Sequence, residues 1–309
     1  MGRKSRLLST ALLGILVVLT LYSCTPKSEE RRKGYAREFY TEGLKEYRKG
    51  DYGDAKTNFE RALNYIEYLS PEEIKNAKYL LVKSAYKDKD YVDAIVYAED
   101  FLSNYPGSRE AEEVFFILVA SLVKVAPDPY RDQTYTIQAI QKAKEFLSKY
   151  PNSEFVKDVE EVIEEANRKL AYHEYYVAKF YEEYGYTYNA AVRYREVLIN
   201  FSQYFSEEKL AYHYIKNLIL TPKQVKMEKE KIEKLIKEAR KKLKKVKKAE
   251  ERKAIENRIE FLISEIKRWE EIKRKAHEEA IKALKKYREL YGENAYYKEL
   301  IKLIKKWKS

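Results

Sequence analysis

Apolar residues recur every three to four positions along most of the chain, in segments that end at proline, glycine or a short polar stretch. This spacing predicts amphipathic helices. Two segments end with nearly the same motif, FLSNYPGS at residues 101–108 and FLSKYPNS at residues 146–153. The two copies are identical at six of eight positions and lie 45 residues apart. Proline cannot continue a helix, and a serine two residues later is placed to cap the next one. A stop and restart at this interval indicates a helical solenoid.

The tetratricopeptide pattern is most complete in the first repeat, from about 34 to 68. Small residues at Gly43, Ala55 and Ala62 would let two helices approach closely, and Gly50 would end the first helix in a left-handed cap. Similar positions recur in four further segments, and the fourth repeat has an unusually long first helix, from about 154 to 184. We therefore predict an all-α fold, a tetratricopeptide-repeat superhelix of about five helix pairs.

The fifth repeat is interrupted. We assign 34–220 to repeats one to four with the first helix of repeat five, and 276–309 to its second helix and a capping helix. In the inserted segment 221–275, Thr221 and Pro222 are expected to start a new helix. Apolar residues then recur every seven positions, a spacing that favours a coiled coil. Because a single long helix would carry the two halves of repeat five far apart, we favour a hairpin that folds back near 248–252 over one continuous helix.

The charge is concentrated in the C-terminal part. Residues 222–309 hold 30 Lys and Arg against 16 Asp and Glu, whereas the rest of the chain holds 32 against 34, for a formal net charge of +12 overall. The repeat body is thus close to neutral, which argues against a nucleic-acid partner. The basic hairpin has two interpretations: a solvated coiled coil, or a second docking arm for anionic lipid headgroups or an acidic partner.

The N-terminus has the form of a secretory signal. A basic start is followed by an uncharged, mostly apolar run from Leu7 to Leu21, too short to span a bilayer. The run ends at Leu-Tyr-Ser-Cys, and Cys24 is the only cysteine in the chain. This arrangement resembles a bacterial lipobox. It predicts a signal peptide at 1–23, acyl chains such as palmitate on Cys24, and a polar, flexible tether at 24–33. An incidental cysteine behind an ordinary signal peptide is the alternative.

No stretch carries a catalytic or metal-binding pattern. The three histidines, His173, His213 and His277, lack a second ligand at metal spacing, and phosphate-binding glycine loops and nucleophile elbows are missing. We predict that the protein is not an enzyme and has no cofactor besides the covalent lipid on Cys24.

From residue 126 onward, the order of features resembles the BamD family, the tetratricopeptide lipoproteins of the outer-membrane β-barrel assembly machinery. Three stretches carry the resemblance: Arg131-Asp132-Gln133 with the AIQKAKEFLSKYPNS that follows, the segment from Lys169 to Tyr181, and Asn189 to Arg193. The resemblance covers about 24–220 and 276–307, and the 221–275 insertion departs from it.

The resemblance implies a lipid-anchored protein on the periplasmic face of the outer membrane. Its partners would be an Omp85-type barrel assembly protein, held through its periplasmic domains, other assembly lipoproteins, and unfolded outer-membrane proteins. The family's partner-contacting arginine falls on Arg193, which could otherwise be a solvated surface residue. The front repeats would form a client-peptide groove that includes Tyr35, Phe39, Tyr47, Tyr79 and Tyr86, although each of these rings could instead belong to the core. Another lipid-anchored repeat adaptor, such as a pilus-assembly pilotin or an envelope scaffold, is the alternative function.

Overall fold

The computed structural model describes residues 26–307. These residues form eleven α-helices, two short 3-10 turns and no strand. The helices are α1 (Pro26–Lys49), α2 (Tyr52–Leu63), α3 (Pro71–Lys87), α4 (Tyr91–Asn104), α5 (Ala111–Val125), α6 (Thr134–Lys149), α7 (Val156–Glu183), α8 (Thr187–Asn200), α9 (Glu207–Leu243), α10 (Ala249–Tyr291) and α11 (Ala295–Lys305). The predicted all-α class is confirmed.

Contacts divide the chain into two compact units. Unit 1 takes in the described residues up to Ala126 together with Thr134–Glu164, and unit 2 takes in Pro127–Gln133 and the described residues from Glu165 onward. In unit 1, successive helices pack as pairs, α1 on α2, α3 on α4 and α5 on α6. This is the helix-pair arrangement that the repeat pattern predicts.

Small residues let the helices of the first repeat approach closely. Ala55, Ala62 and the ring of Phe59 are fully buried. A Cβ atom built on Gly43 would lie 2.9 Å from two atoms of that ring. The predicted roles of Gly43, Ala55 and Ala62 are therefore confirmed, since any larger residue at 43 would force the ring to move.

Three helices end through the same left-handed turn. Gly50, Lys89 and Gly185 have φ values of 88°, 65° and 78°. In each case the next residue's backbone N–H reaches back five positions, for example from Asp51 to the carbonyl of Glu46 at 3.0 Å. This bond satisfies a carbonyl that the helix end leaves unpaired. The cap predicted at Gly50 is thus found, and Lys89 shows that a lysine occupies the same conformation in the next repeat.

Side-chain caps are found at the start of some of the helices, including α3, α9 and α11. Ser70 and Glu73 form a reciprocal capping box at the start of α3, with Pro71 in its first turn. Of the two serines expected to cap a helix in the repeated motif, only Ser153 accepts a hydrogen bond from the backbone at the start of the next helix. The Ser153 hydroxyl accepts from the Phe155 N–H at 3.1 Å, just before α7. The prediction that Ser108 caps the next helix is wrong, because α5 begins three residues later with Glu110 at its N-cap.

Unit 2 is built around the second half of α7 and helices α8 to α11. Its largest fully buried side chains are Tyr194, Leu210, Ile215, Tyr287 and Leu300, the last from α11. The closing helix therefore seals the end of the core, as expected for the last element of a repeat array.

The inserted segment forms the predicted hairpin, but its boundaries differ. Helix α9 passes through Pro222 without a break, so the prediction of a new helix at Thr221 is wrong. The helix continues past the proline because the residues after it are buried. Gln224 and Val225 are both 2% exposed. The Gln224 side chain accepts from the Tyr188 N–H at 2.8 Å and donates to the Asn189 side chain at 2.7 Å. These contacts outweigh the donor that proline removes.

The turn and the seam of the hairpin are also shifted. The chain reverses between Leu243 and Ala249, earlier than the 248–252 predicted, and α10 then runs without interruption into the second helix of repeat five. The seam holds Ile232, Ile236 and Leu262, with Ile259, Ile266 and Trp269 partly buried beside them. Leu235 is exposed, because its neighbour Ile236 takes the seam position.

The segment 26–33, part of the stretch expected to be a flexible tether, instead lies in helix α1. Residues 28–33 are all exposed, so this first part of α1 projects ahead of the first buried residue, Ala36. The signal peptide, Cys24 and Thr25 lie outside the described residues.

Candidate partner-binding surfaces

The five aromatic residues predicted for a client groove do not form one cluster. Tyr35 and Phe39 stack on α1 with ring centres 6.1 Å apart, and Tyr65 packs against both. The Arg61 guanidinium lies 5.7 Å from the centre of the Phe39 ring. Tyr35 is exposed and Phe39 is half-buried, so this pair presents an aromatic surface at the start of unit 1.

Tyr47 and Tyr79 lie on consecutive first helices of the repeats, α1 and α3. The Lys87 ammonium lies 5.5 Å from the Tyr47 ring centre, and Lys83 contacts Tyr79. The Lys83 ammonium is 5.0 Å from the Tyr79 ring centre, donates to the Tyr79 hydroxyl at 3.1 Å and pairs with Glu113 at 2.7 Å. The Tyr79 hydroxyl in turn donates to Glu113. Burial alone would lower the pKa of Lys83, but the bonds to Glu113 and Tyr79 outweigh it and raise that pKa. The ammonium therefore stays charged, and it fixes Tyr79 in place.

A groove in unit 1 of about 570 Å³ opens beside Tyr79. Phe155 and Tyr79 supply its aromatic surface. The remaining lining residues are charged: Arg109, Glu110, Glu112, Glu113 and Glu154. Glu110 is paired with Lys75 at 3.0 Å and Glu113 with Lys83, which leaves Glu112 and Glu154 without a basic partner among the described residues. The groove therefore suits a peptide with aromatic and basic side chains.

Tyr86 has a different setting. Its ring packs edge-on against Tyr91 at 5.8 Å, across the turn that joins α3 to α4. Tyr47 makes the equivalent contact with Tyr52 at 5.5 Å. These tyrosines fix the two helices of a repeat around the left-handed turns at Gly50 and Lys89.

Arg193 lies in the first half of α8, in unit 2. Its guanidinium donates to the Glu174 carboxylate of α7 at 3.0 Å, and the side chains are 43% and 26% exposed. An arginine presents five donors, and a single bond to Glu174 leaves the others to solvent. Arg193 is thus oriented by its own unit and still accessible.

Exposed apolar residues accompany Arg193, and the sequence reasoning missed them. Val192 and Ile199 are seven residues apart on one face of α8, and both are exposed. Val192 also lines a groove of about 350 Å³ between α8, α9 and α10, together with Tyr188, Arg195, Tyr214 and Glu279. We call Val192, Arg193 and Ile199 with this groove the α8 surface. The sequence pattern that could have predicted this surface is two aliphatic residues seven positions apart, one of them next to an arginine.

A second feature missed from the sequence is a ridge of four exposed aromatic rings, three on α7 and one directly after its end. Tyr172, Tyr176, Phe180 and Tyr184 follow each other every four residues, with exposed fractions from 37% to 65%. Phe180 and Tyr184 pack together at 4.5 Å, and Tyr172 packs against Phe205 at 5.0 Å. Exposed apolar patches of this kind are typical of interaction surfaces.

Helices α7, α8 and α9 are held in register by a charged network around Glu182. Its carboxylate accepts from the Tyr194 hydroxyl at 2.7 Å, from His213 Nδ1 at 3.0 Å and from Lys216 at 3.0 Å. Burial favours the neutral acid, but the bonds from His213, Tyr194 and Lys216 outweigh burial and hold the pKa of Glu182 at about 2. The network therefore fixes the helix that carries Arg193 against the two helices around it.

Two residues of the stretches quoted above, Gln133 and His173, secure the loop before α6. The Gln133 amide donates to the carbonyls of Asp128 and Arg131, both at 3.0 Å, and His173 Nδ1 donates to the Pro129 carbonyl at 2.6 Å. Backbone carbonyls without helical partners are satisfied in this way. Between residues 26 and 307, no group of three or more His, Cys, Asp or Glu is arranged to hold a metal ion.

Comparison with known proteins decides the family. A model of the YfiO family, described as "Outer membrane lipoprotein", matches residues 32–232. A protein of Aquifex aeolicus named "Putative outer membrane protein assembly factor BamD" is 74% identical over 309 residues, the full length of both chains. The chain belongs to the BamD family.

More distant members are also similar. The "Outer membrane protein assembly factor BamD" of Caulobacter vibrioides is 26% identical over 197 residues, 62% of this chain and 63% of that one. Among solved structures, a Rap protein complexed with competence and sporulation factor covers 88% of this chain and 75% of its own, but its TM-score of 0.31 and 16% identity bear on neither fold nor function. Membership in the BamD family places this chain with outer-membrane assembly factors. None of the helices within residues 26–307 has the length and hydropathy needed to cross a bilayer.

Proposed function

We propose that this protein is a non-enzymatic scaffold of the β-barrel assembly machinery. It would be anchored through acyl chains on Cys24 to the periplasmic face of the outer membrane. It would bind an Omp85-type barrel assembly protein through that protein's periplasmic domains, together with other assembly lipoproteins and unfolded outer-membrane clients. The observation that carries this proposal is full-length similarity to a relative named as an assembly factor.

The α8 surface is the proposed site for the barrel assembly protein. An accessible arginine held by one carboxylate can pair with an acidic group of a partner, and an arginine is suited to bidentate contact with a carboxylate. Val192 and Ile199, about a quarter and a third of a turn around α8 from Arg193, would supply apolar area beside that charged contact. Arginine and tyrosine are enriched among the residues that dominate binding at interfaces, and Tyr188 and Tyr214 line the adjacent groove.

The aromatic surfaces of unit 1 are the proposed site for unfolded clients. Tyr35 and Phe39 at the start of the unit, and Tyr79 beside the acidic groove, offer rings to which the apolar side chains of an extended chain can pack. Tyr47 and Tyr86 contribute by fixing the helices rather than by contact, because their rings pack on Tyr52 and Tyr91.

The test is co-purification from detergent-solubilised membranes. Arg193→Ala is expected to reduce recovery of the barrel assembly protein at least about fivefold, the effect of losing one charged contact of ~1 kcal/mol or more at an interface. Arg48→Ala is the matched control, since Arg48 is an exposed arginine near the end of α1 and should leave recovery unchanged. Folding should be preserved in both, because an exposed ion pair such as Arg193–Glu174 contributes about 0–1 kcal/mol.

A third variant separates contact from positioning. Glu174→Gln removes the partner of Arg193 within the chain but keeps the guanidinium. If Arg193 touches the partner, Glu174→Gln should retain most of the binding. Equal losses in Glu174→Gln and Arg193→Ala would assign Arg193 a purely internal role, and wild-type protein that recovers no Omp85-type partner would refute the proposed function.

A further inference from the structure

The hairpin formed by the last part of α9 and the first part of α10 carries two kinds of charged surface. Along its base the charges are paired across and along the helices, as in Lys229–Glu270, Arg268–Glu265 and Arg274–Glu271. This alternation of signs is what a solvated coiled coil needs. The base therefore requires no partner to explain its composition.

The hairpin tip, residues 240–252, is different. Six of the eight residues from 240 to 247 are basic, and all six side chains are exposed. Within the described part of the chain, none of the six is ion-paired: Arg240, Lys241, Lys242, Lys244, Lys245 and Lys247. Like charges at such spacing repel one another, which destabilises the isolated tip. A solvated coiled coil does not account for this cluster.

The tip is nevertheless ordered. The Arg252 guanidinium donates to the carbonyls of Leu243 and Val246, at 3.1 and 3.2 Å, and so closes the turn between the two helices. Below it, Ile232, Ile236 and Leu262 form the seam. The repelling cations are thus held together on a preformed support.

An apolar strip lies next to these cations. A groove of about 480 Å³ on the side of the hairpin has Ile236, Ile263 and Ile266 in its lining, and its basic residues are Lys237, Arg240, Lys241 and Lys244. Glu233 is the one acidic residue that lines it. Phe261, one residue before Leu262, is 61% exposed. Cationic side chains bordering apolar ones match the boundary between lipid headgroups and acyl chains.

We infer that the hairpin tip is a docking site for the anionic phospholipid headgroups of a bilayer surface. The distribution of charge favours a lipid surface over an acidic protein. At 100° per residue, Arg240, Lys241 and Lys242 point to different sides of α9, and the three lysines at 244, 245 and 247 follow in the turn beyond its end. This spread suits a headgroup layer that surrounds the tip, whereas a protein interface engages one face. Outer-membrane association of the family places such a surface within reach of the chain. The inference does not depend on the partner contacts proposed for Arg193.

The test measures binding of the full chain, with Cys24→Ser to keep acyl chains off, to two kinds of vesicle. One contains phosphatidylglycerol and phosphatidylcholine in a 3:7 ratio, and the other is phosphatidylcholine alone. Because residues 1–23 are present in every variant and meet both vesicles, the ratio of the two partition coefficients isolates the headgroup contribution. Each cation near an anionic surface contributes roughly a factor of five at low salt, and added salt weakens it.

Two variants with the same loss of charge are compared. The tip variant changes the six basic residues at 240, 241, 242, 244, 245 and 247 to Gln. The control changes six exposed lysines of α10 and α11 to Gln, namely Lys282, Lys285, Lys286, Lys298, Lys302 and Lys305. We expect the partition ratio to fall at least tenfold in the tip variant and less than threefold in the control, with unchanged helix content by circular dichroism in both.

Three results would overturn the inference. Wild-type chain with no preference for phosphatidylglycerol would do so, and so would equal losses in the two variants, which would assign the effect to net charge alone. The third is binding of purified poly-glutamate that depends on the tip while vesicle binding does not, which would assign the tip to an acidic protein partner. If the tip variant loses helix content, a version with Lys and Arg exchanged at the six positions keeps the charge and should bind as wild type.

Discussion

The repeats of unit 1 and the hairpin of unit 2 use the same antiparallel pairing of helices, but the first helix of each pair ends in a different way. The first helices of repeats one and two stop at left-handed turns, at Gly50 and Lys89, after which the chain folds back at once. Helix α9 has no such turn after its repeat portion, and even Pro222 does not end it. The difference shows that a stop at the helix C-terminus, more than an apolar pattern, sets the length of each pair.

The interiors also differ. Unit 1 buries alanines and the rings of Phe59, Phe101 and Phe146, all fully enclosed. Unit 2 buries tyrosines whose hydroxyls need partners, and the Glu182 network supplies one for Tyr194. The enclosed rings of unit 1 therefore stabilise it by packing alone, whereas the enclosed ring of Tyr194 in unit 2 also depends on the charge of Glu182 and so on pH.

The largest expected effect compares the core of a repeat with the seam of the hairpin. Phe59→Ala should lower the free energy of unfolding of unit 1 by about 3–5 kcal/mol, since the ring is fully buried and leaves a cavity. Leu262→Ala should cost about 2 kcal/mol and loosen only the hairpin, because few residues surround the seam. Denaturant unfolding gives the magnitudes, and hydrogen exchange locates the change.

Phe261→Ala is the control for the seam, because this exposed neighbour of Leu262 should change stability by less than about 0.5 kcal/mol. Loss of exchange protection throughout unit 2 in Leu262→Ala would contradict the separation of the hairpin from the repeat core.

An intermediate effect concerns the charged network. Glu182→Gln should lower the free energy of unfolding by about 2–3 kcal/mol at pH 7. The pKa of Glu182 is about 2 in the folded protein against an ordinary value of 4.5, so its stabilisation is complete above about pH 4.5 and is lost as pH falls toward 2. The difference between wild type and variant should therefore shrink over that window in denaturant titrations.

Glu183→Gln is the matched control, since this adjacent carboxylate is exposed and pairs only loosely with Lys179 at 3.7 Å. It should leave stability within about 0.5 kcal/mol at every pH. A pH-independent difference between Glu182→Gln and wild type would show that the carboxylate is not charged in the folded state.

The smallest effect tests close approach in the first repeat. Gly43→Ala should destabilise unit 1 by about 1–3 kcal/mol, because the new Cβ would lie 2.9 Å from the Phe59 ring. Gly34→Ala, in the same helix with no atom within 4 Å, should be neutral or stabilising by up to about 1 kcal/mol. Thermal melts of the two variants should thus move in opposite directions, and equal shifts would argue against tight packing at position 43.

Local signals made part of this structure predictable. The capping box at Ser70 and the left-handed turn at Gly50 depend on residues within a few positions, so sequence alone identifies them. The prediction of a new helix at Pro222 was wrong because the residues after the proline are buried against α8. The local sequence pattern does not contain this contact between helices. For the same reason, the place of Ile236 in the seam required the structure.

The candidate surfaces divide in the same way. The aromatic ridge of α7 was missed but could have been found from its four-residue spacing between Tyr172 and Tyr184. The bond from Arg193 to Glu174, in contrast, joins residues 19 positions apart on two helices. The five aromatic residues predicted to line one groove lie in separate contacts, and this too depends on how the helices pack.

The most direct test of the central claim is site-specific photo-crosslinking in intact cells. A photoreactive residue at Val192, on the α8 surface, should yield an adduct with an Omp85-type barrel assembly protein. The same residue at Val96, an exposed valine on α4 of unit 1, should yield none. Adducts from both positions, or from neither, would contradict the account.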